Sequence, residues 1–211
     1  DQYLYISTPN KGYINVTVKP LAGSRADWVT KSIKNDEPWV FQIYTPTSGG
    51  INSPVVKDLD TYSTQKVKDG YIVESTDVTY VSFRINSESN NGRQFHSGAY
   101  VSKGEAALGT RFRPGNFVGA TGFTREGSQT FAENFVSILA VEDGTRVELS
   151  EIPSGLVIIG YTGAFPIVKE LDKGETWILG TTTNTNDLNP LNEVQLSGFT
   201  GTLITSTDVG G

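Results

Sequence analysis

His96 is the only histidine of the 211-residue chain, and it stands beside Ser97 in the segment QFHSGAY. A catalytic Ser–His arrangement needs the imidazole within hydrogen-bond reach of the hydroxyl and a carboxylate that orients the ring. Adjacent residues of a strand point to opposite faces, so an extended QFHSGAY would separate the two side chains. We therefore expect His96 to be a surface or loop residue. A lone histidine is also a weak metal ligand.

Neighbouring carboxylates raise the question of glycoside hydrolysis, which needs two carboxyl groups at a set separation. The local pairs are Asp58 with Asp60, Glu142 with Asp143, and Glu170 with Asp172. A turn explains Asp143, which precedes Gly144, and another turn in LDKGE explains Asp172. Glu170 is typical of a solvated strand edge. We therefore expect no catalytic residue, and an enzyme that acts on carbohydrate is the most distant alternative.

Calcium is the one cofactor that the sequence suggests, because Ca²⁺ takes six to eight oxygen ligands from Asp, Asn and backbone carbonyls. The segment NTNDLNPLNE contains the candidate ligands Asn184, Asn186, Asp187, Asn189 and Glu193. The segment VKDLDTYST occupies the equivalent position earlier in the chain. Neither has EF-hand spacing. The alternative is a pair of polar loops in which Asn and Asp side chains cap turns.

Aromatic and basic residues are the best candidates for binding a ligand, because exposed rings stack on sugars, and Arg and aromatic residues are favoured in protein interfaces. Trp28 stands in a polar context, and TRFRPGNF is basic and aromatic within an acidic chain. The predicted ligand-binding residues are Trp28, Arg111, Phe112, Arg113 and Phe117. The alternative is that these aromatic residues cover a junction between two modules.

The bulk composition excludes several classes of function. The net charge is −6 and the pI about 4.8, which argues against nucleic acid and against an anionic membrane surface. Without cysteine, the chain forms no disulfide and no thiolate zinc site. No apolar run approaches 18 residues, so we expect no membrane insertion. Methionine is also absent, which predicts a processed chain or part of a larger parent chain.

The dominant hydrophobic period is two, which predicts an all-β chain with little helix. INVTVKP and TYVSFRIN alternate apolar and polar residues, and turn residues bound each such segment. Around Asp143-Gly144 the pattern predicts a β-hairpin with a two-residue turn, and PNKGY predicts a second hairpin. The helix-compatible pieces are TFAENFV and KGEAALG.

An internal duplication is the strongest long-range signal. GYIVESTDV begins at Gly70 and GTLITSTDV at Gly201, 131 residues later, with five of nine positions identical. Each follows a hairpin-like pair, a polar loop and a Trp-bearing strand, with Trp39 and Trp177 expected in the cores. We therefore predict two related antiparallel β-sandwich-like modules. Their boundaries are 1–85 and 135–211, joined by a Gly- and aromatic-rich segment, 86–134, that packs on both. The second module is expected to lack its last strand.

The ordered set of these segments resembles the N-terminal-type domain of the IgGFc-binding protein. The similar segments are KDGYIVESTDVTYVSFRIN, GAYVSKGEAALGTRFRPGNF, FVSILAVEDGTRVELSEI, KELDKGETWILG and FTGTLITSTD. The bacterial members that it most resembles are large Bacteroidota cell-surface proteins, including gliding-motility adhesins exported by type IX secretion. This resemblance implies an extracellular, non-catalytic adhesion domain that binds a surface glycan or protein. It carries over no Fc-contact residue. A structural spacer, with the ligand site elsewhere on the parent chain, is the alternative.

Overall fold

The structure is a computed structural model that describes residues 2–44, 66–88, 94–116, 132–183 and 193–208. The chain is all-β, as predicted. The strands are β1 (Gln2–Ser7), β2 (Ile14–Pro20), β3 (Val29–Ile33), β4 (Trp39–Tyr44), β5 (Lys66–Val67), β6 (Tyr71–Ser75), β7 (Tyr80–Glu88), β8 (Gln94–Val101), β9 (Arg111–Phe112), β10 (Ala132–Leu139), β11 (Thr145–Ser150), β12 (Ile167–Leu171), β13 (Thr176–Thr183) and β14 (Leu203–Asp208). Short 3₁₀ helices span Arg25–Asp27 and Gly104–Ala107, and one α-helix, α1, spans Glu193–Ser197.

The chain divides into two compact units. The first comprises Asp1–Val56 and Asp69–Leu108, and the second Lys57–Lys68 and Gly109–Gly211. The segment 86–134 therefore contributes β8 to the first unit, and β9 and the beginning of β10 to the second. Within the described ranges, no helix is long and apolar enough to cross a membrane.

Two antiparallel sheets form the first unit, with strand orders β4-β1-β7-β8 and β3-β2-β6. Alternation explains their packing: in β2, Ile14, Val16 and Val18 are buried, while Asn15 and Thr17 face outward. A single core combines side chains of both sheets, which makes the unit a sandwich. Its members are Leu4, Ile6 and Trp39 from one sheet and Ile14, Val16, Val18 and Ile33 from the other.

The second unit also has two antiparallel sheets, ordered β10-β13-β5 and β12-β11-β14-β9. Trp177 and Leu179 on β13 pack with Val147 and Leu149 on β11, so again one core joins both sheets. Phe199, which follows α1, is fully buried in this core. Both Trp39 and Trp177 are buried, as the sequence predicts.

The same strand order recurs in the two units. β3-β2-β6 corresponds to β12-β11-β14, and β4-β1 corresponds to β13-β10. The register agrees as well: Val16 lies opposite a lysine of β3 and Ser75, and Val147 lies opposite a lysine of β12 and Ser206. The units differ at the sheet edges. β1 has β7 as a second neighbour, whereas among the described strands β10 pairs only with β13.

Both predicted hairpins are wrong. β1 and β2 lie in different sheets, and so do β10 and β11. The two connections therefore carry the chain across the sandwich from one sheet to the other. In the second connection Gly144 adopts a φ of 65°, which glycine reaches at low cost. Alternation identifies the buried face of each strand, but strands that share a core face need not be neighbours in a sheet.

One of the two helix-compatible segments forms part of a strand instead of a helix. TFAENFV contributes its residues from Ala132 onward to β10, where pairing with β13 overrides the weak helical pattern. KGEAALG forms only the short 3₁₀ helix at Gly104–Ala107. α1 begins at Glu193, at the end of the segment that was predicted to be a polar loop.

Candidate functional site

Trp28, a predicted ligand residue, lies in the first unit between a 3₁₀ turn and β3. The turn is fixed by a capping box: the Asp27 carboxylate accepts a hydrogen bond from the Ser24 backbone N–H at 2.7 Å, and the Ser24 hydroxyl caps the turn in return. Lys19 Nζ lies 4.1 Å and Arg25 Cζ 5.4 Å from the centroid of the indole ring. Both cations lie within cation–π distance of the ring.

Arg111, Phe112 and Arg113 lie together in the second unit, where β9 pairs with β14. Arg113 donates hydrogen bonds to the backbone oxygen of Gly201 and, at 2.5 Å, to Glu151 Oε2. Its guanidinium therefore anchors the 110–116 segment to two other loops. Arg111 and Phe112 are exposed. Phe117 lies outside the described residues, and Trp28 belongs to the other unit.

The predicted calcium ligands Asn184, Asn186, Asp187 and Asn189 lie outside the described residues, and so does VKDLDTYST. Glu193 begins α1, but its side chain is outside the described part as well. Within the described ranges, no three His, Cys, Asp or Glu side chains are grouped so that they could hold a metal ion. His96 pairs with Ser87 between β8 and β7, and only its backbone is described.

A surface that the sequence analysis missed lies on the outer face of β4-β1-β7-β8. The register places Tyr3 between Gln42 and Arg84, and Tyr5 between Val40 and Ser82. These residues point away from the core because their neighbours along each strand point into it. The Tyr–Arg face, as we name this surface, consists of Tyr3, Tyr5, Val40, Tyr80, Arg84 and Val101, together with the polar residues Gln42 and Ser82 that lie among them.

Ring contacts organise the centre of the Tyr–Arg face. Arg84 Cζ lies 4.3 Å from the centroid of the Tyr5 ring, as in a cation–π contact. The rings of Tyr3 and Tyr5 meet edge to face with centroids 6.1 Å apart. Tyr80 is 59% exposed and Val101 is 67% exposed. Two half-buried aromatic rings and an arginine are thus held on rigid strands inside an exposed apolar rim.

The charge on this face differs from that of the whole chain, which is acidic. Among the outward positions with described side chains, Arg84 is the only charged residue. No carboxylate lies within ion-pair distance of Arg84 in the part of the chain that the structure describes. A positive charge that no described carboxylate pairs with, next to tyrosine rings, suits an anionic or hydrogen-bond-accepting ligand.

A second polar cluster lies at the end of the first unit. The Tyr13 hydroxyl donates to Glu37 Oε2 at 2.9 Å, and Lys34 Nζ lies 2.9 Å from Glu37 Oε1 and 3.2 Å from Asp36. The hydrogen bond with Lys34, and then that with Tyr13, lowers the pKa of Glu37. The hydrogen bond with Glu37 raises the pKa of both Tyr13 and Lys34. These groups are solvent-exposed, and mutual pairing satisfies them.

Replacing Tyr13 with Phe is expected to raise the pKa of Glu37 part of the way to its ordinary value. The variant removes one donor to the carboxylate, while Lys34 remains. An NMR titration of the Glu37 side-chain carboxyl measures this change, with Glu105 as the control carboxylate. Because the pKa of Glu37 is lowered on folding, its stabilising contribution is present above the unfolded pKa and is lost as pH falls through the folded pKa. An unchanged Glu37 titration would contradict the contact.

Comparisons with protein-family models, curated proteins and solved structures find no match to this chain. The resemblance to the IgGFc-binding-protein N-terminal-type domain therefore stays a prediction from the sequence.

Proposed function

We propose that the chain is a non-catalytic adhesion or interaction domain of a large bacterial surface protein. On this proposal, the Tyr–Arg face of the first unit binds a surface glycan or a protein ligand outside the cell. The observation that carries the proposal is the set of tyrosine, valine and arginine side chains on the outer face of β4-β1-β7-β8, which they share with the uncharged polar residues Gln42 and Ser82. The sequence resemblance agrees with this role but does not locate the face.

The composition of the Tyr–Arg face supports binding. Interface centres are enriched in Tyr and Arg and depleted of Lys, Glu and Asp, and the described outward positions of this sheet follow that composition. Rigid placement supports it further, because side chains held by strands lose little conformational freedom when a ligand docks.

The residues predicted from the sequence take a second place in this proposal. The indole of Trp28 lies against Lys19 and Arg25, and the guanidinium of Arg113 is bonded to Glu151 and Gly201. Arg111 and Phe112 remain exposed and could extend a binding surface on the second unit. A separate test compares ligand binding by Arg111→Ala and by Phe112→Ala with that of the wild type.

A structural spacer is the second candidate, and the repeated strand order of the two units favours it, since serial modules are typical of stalks. A binding screen separates the two functions. Wild-type protein is passed over immobilised glycans and surface proteins, once with calcium and once with a chelator. Saturable binding under both conditions supports the adhesion domain. Binding that is present with calcium and absent with the chelator indicates a calcium-dependent loop. A folded protein that binds nothing under either condition supports the spacer.

A further inference from the structure

Arg84 combines a contact with an aromatic ring and a charge that no described carboxylate pairs with. Its guanidinium lies over the Tyr5 ring with Cζ 4.3 Å from the centroid, and the strand register places it directly beside Tyr3. A cation–π contact occupies none of the guanidinium N–H groups as a hydrogen-bond donor to an oxygen acceptor. In the described ranges, no carboxylate accepts them.

Several other basic groups are paired with carboxylates. Lys19 pairs with Glu74, Lys34 with Asp36 and Glu37, and Arg113 with Glu151. Each of those charges is balanced within the protein. The charge of Arg84 is balanced by no described carboxylate, although the chain has six more acidic than basic groups. A ligand that supplies a carboxylate would complete a charge-assisted, two-pronged hydrogen bond there.

The surroundings of Arg84 narrow the chemistry of that ligand. Tyr3 and Tyr5 offer ring surface and hydroxyl groups on an open, rigid sheet, next to the N–H fork. The C–H face of a sugar ring stacks on such tyrosines, while its carboxylate reaches the guanidinium. Tyr hydroxyls then meet the sugar hydroxyls as donors and acceptors. Ring, carboxylate and hydroxyl groups occur together in a uronic acid residue.

We propose that the Tyr–Arg face binds a carboxylated saccharide, with Arg84 holding the carboxylate and Tyr3 and Tyr5 contacting the sugar ring. This inference rests on the proposed adhesion function and specifies its ligand class. Charge complementarity at Arg84 favours a uronate over a neutral glycan. The ring surface and hydroxyl groups of Tyr3 and Tyr5 favour a saccharide over an acidic peptide.

The test compares matched ligands on the whole chain. The probes are polygalacturonate, alginate and hyaluronan, each with its carboxyl methyl ester, which keeps the backbone and removes the charge. Polyglutamate represents an acidic peptide. We expect at least one polyuronate to bind, with affinity about tenfold or more above that of its ester and of polyglutamate, because a hydrogen-bonded charge contributes on this scale. Raising the salt concentration is expected to weaken this binding.

Variants assign the effect to Arg84. Arg84→Gln is expected to lose about tenfold or more in affinity for the bound polyuronate, and Arg84→Lys to lose less, because lysine keeps the charge without the fork. Arg25→Gln is the matched control: it removes the same charge from a cation that also lies over an aromatic ring in the first unit. Arg25→Gln is expected to bind as wild type. Thermal unfolding and circular dichroism check that each variant is folded.

The contrary results are distinct. Binding of the methyl ester or of polyglutamate as tightly as the polyuronate overturns the carboxylated-saccharide assignment. Equal losses in Arg84→Gln and Arg25→Gln show diffuse charge attraction and overturn the role of Arg84. If no polyuronate binds, the ligand class is wrong. The adhesion function is still supported if the glycan and protein screen finds another ligand whose binding depends on Tyr80. If that screen is also negative, both the adhesion function and the ligand class are wrong.

Discussion

Trp177→Ala is expected to lower the free energy of unfolding of the second unit by about 3–5 kcal/mol, the usual cost of truncating a buried tryptophan. Trp177 is 1% exposed and packs in the core that joins the two sheets of its unit. Urea denaturation measures the loss. Hydrogen exchange is expected to locate it in β10–β14, while β2 and β3 of the first unit keep their protection.

Trp28→Ala is the matched control for this substitution, because it removes the same side chain from a position that is 38% exposed. We expect it to cost less than about 1 kcal/mol, mainly through the lost contacts with Lys19 and Arg25. Similar losses in the two variants would show that the second unit has no close-packed core around Trp177. A loss of protection in β2 and β3 as well would contradict the expectation that the effect is confined to the second unit.

Gly198→Ala is expected to destabilise the second unit by about 3 kcal/mol. Gly198 ends α1 with a φ of 54°, where a residue with a side chain costs about 1–2 kcal/mol. A Cβ atom there would also lie 2.7 Å from both Asn116 Oδ1 and the Asn134 Cβ. Asn116 Oδ1 accepts the Phe199 backbone N–H at 2.7 Å, so moving Asn116 breaks a second contact. Chemical denaturation measures the loss.

Gly155→Ala separates backbone strain from steric conflict. Gly155 has a φ of 84°, and a Cβ added there meets nothing within 4 Å. It should therefore show the strain alone, about 1–2 kcal/mol. If Gly198→Ala lowered the free energy of unfolding no more than Gly155→Ala does, the close contact of Gly198 with Asn116 and β10 would be contradicted.

Local patterns predicted the class of fold and the buried face of its strands. Alternation in INVTVKP identified Ile14, Val16 and Val18 as core residues, and the duplication placed Trp39 and Trp177 inside. The duplicated order of segments also anticipated the repeated strand order. These features depend on side-chain periodicity, which can be recognised in the local sequence.

Strand partnership could not be read in the same way. Short turns suggested hairpins, yet the chain crosses between sheets at both, because either arrangement hides the same apolar face. The anchoring role of Arg113 depends on Glu151, which is 38 residues away, and on Gly201, which is 88 residues away. No local signal shows such contacts, so the sequence alone predicts a ligand-binding role for Arg113 and not an anchoring one.

The Tyr–Arg face was missed for a related reason. Alternation in TYVSFRIN put Tyr80, Ser82 and Arg84 on one side of a strand, opposite the apolar residues. The pairing of β7 with β1 places Tyr3 and Tyr5 next to this side of β7, close to Arg84. The outward residues of β1 and β7 therefore form one surface only through a pairing between distant segments of the chain.

The central claim is that ligands bind on the Tyr–Arg face, and the most direct measurement is the glycan and surface-protein screen repeated with three proteins. These are the wild type, Tyr80→Ala and Trp28→Ala, each verified as folded. Tyr80 is exposed on the face, whereas Trp28 lies outside it. We predict that Tyr80→Ala weakens binding of the captured ligand by about tenfold or more and that Trp28→Ala binds as wild type. Binding that is lost in Trp28→Ala and retained in Tyr80→Ala would contradict the account.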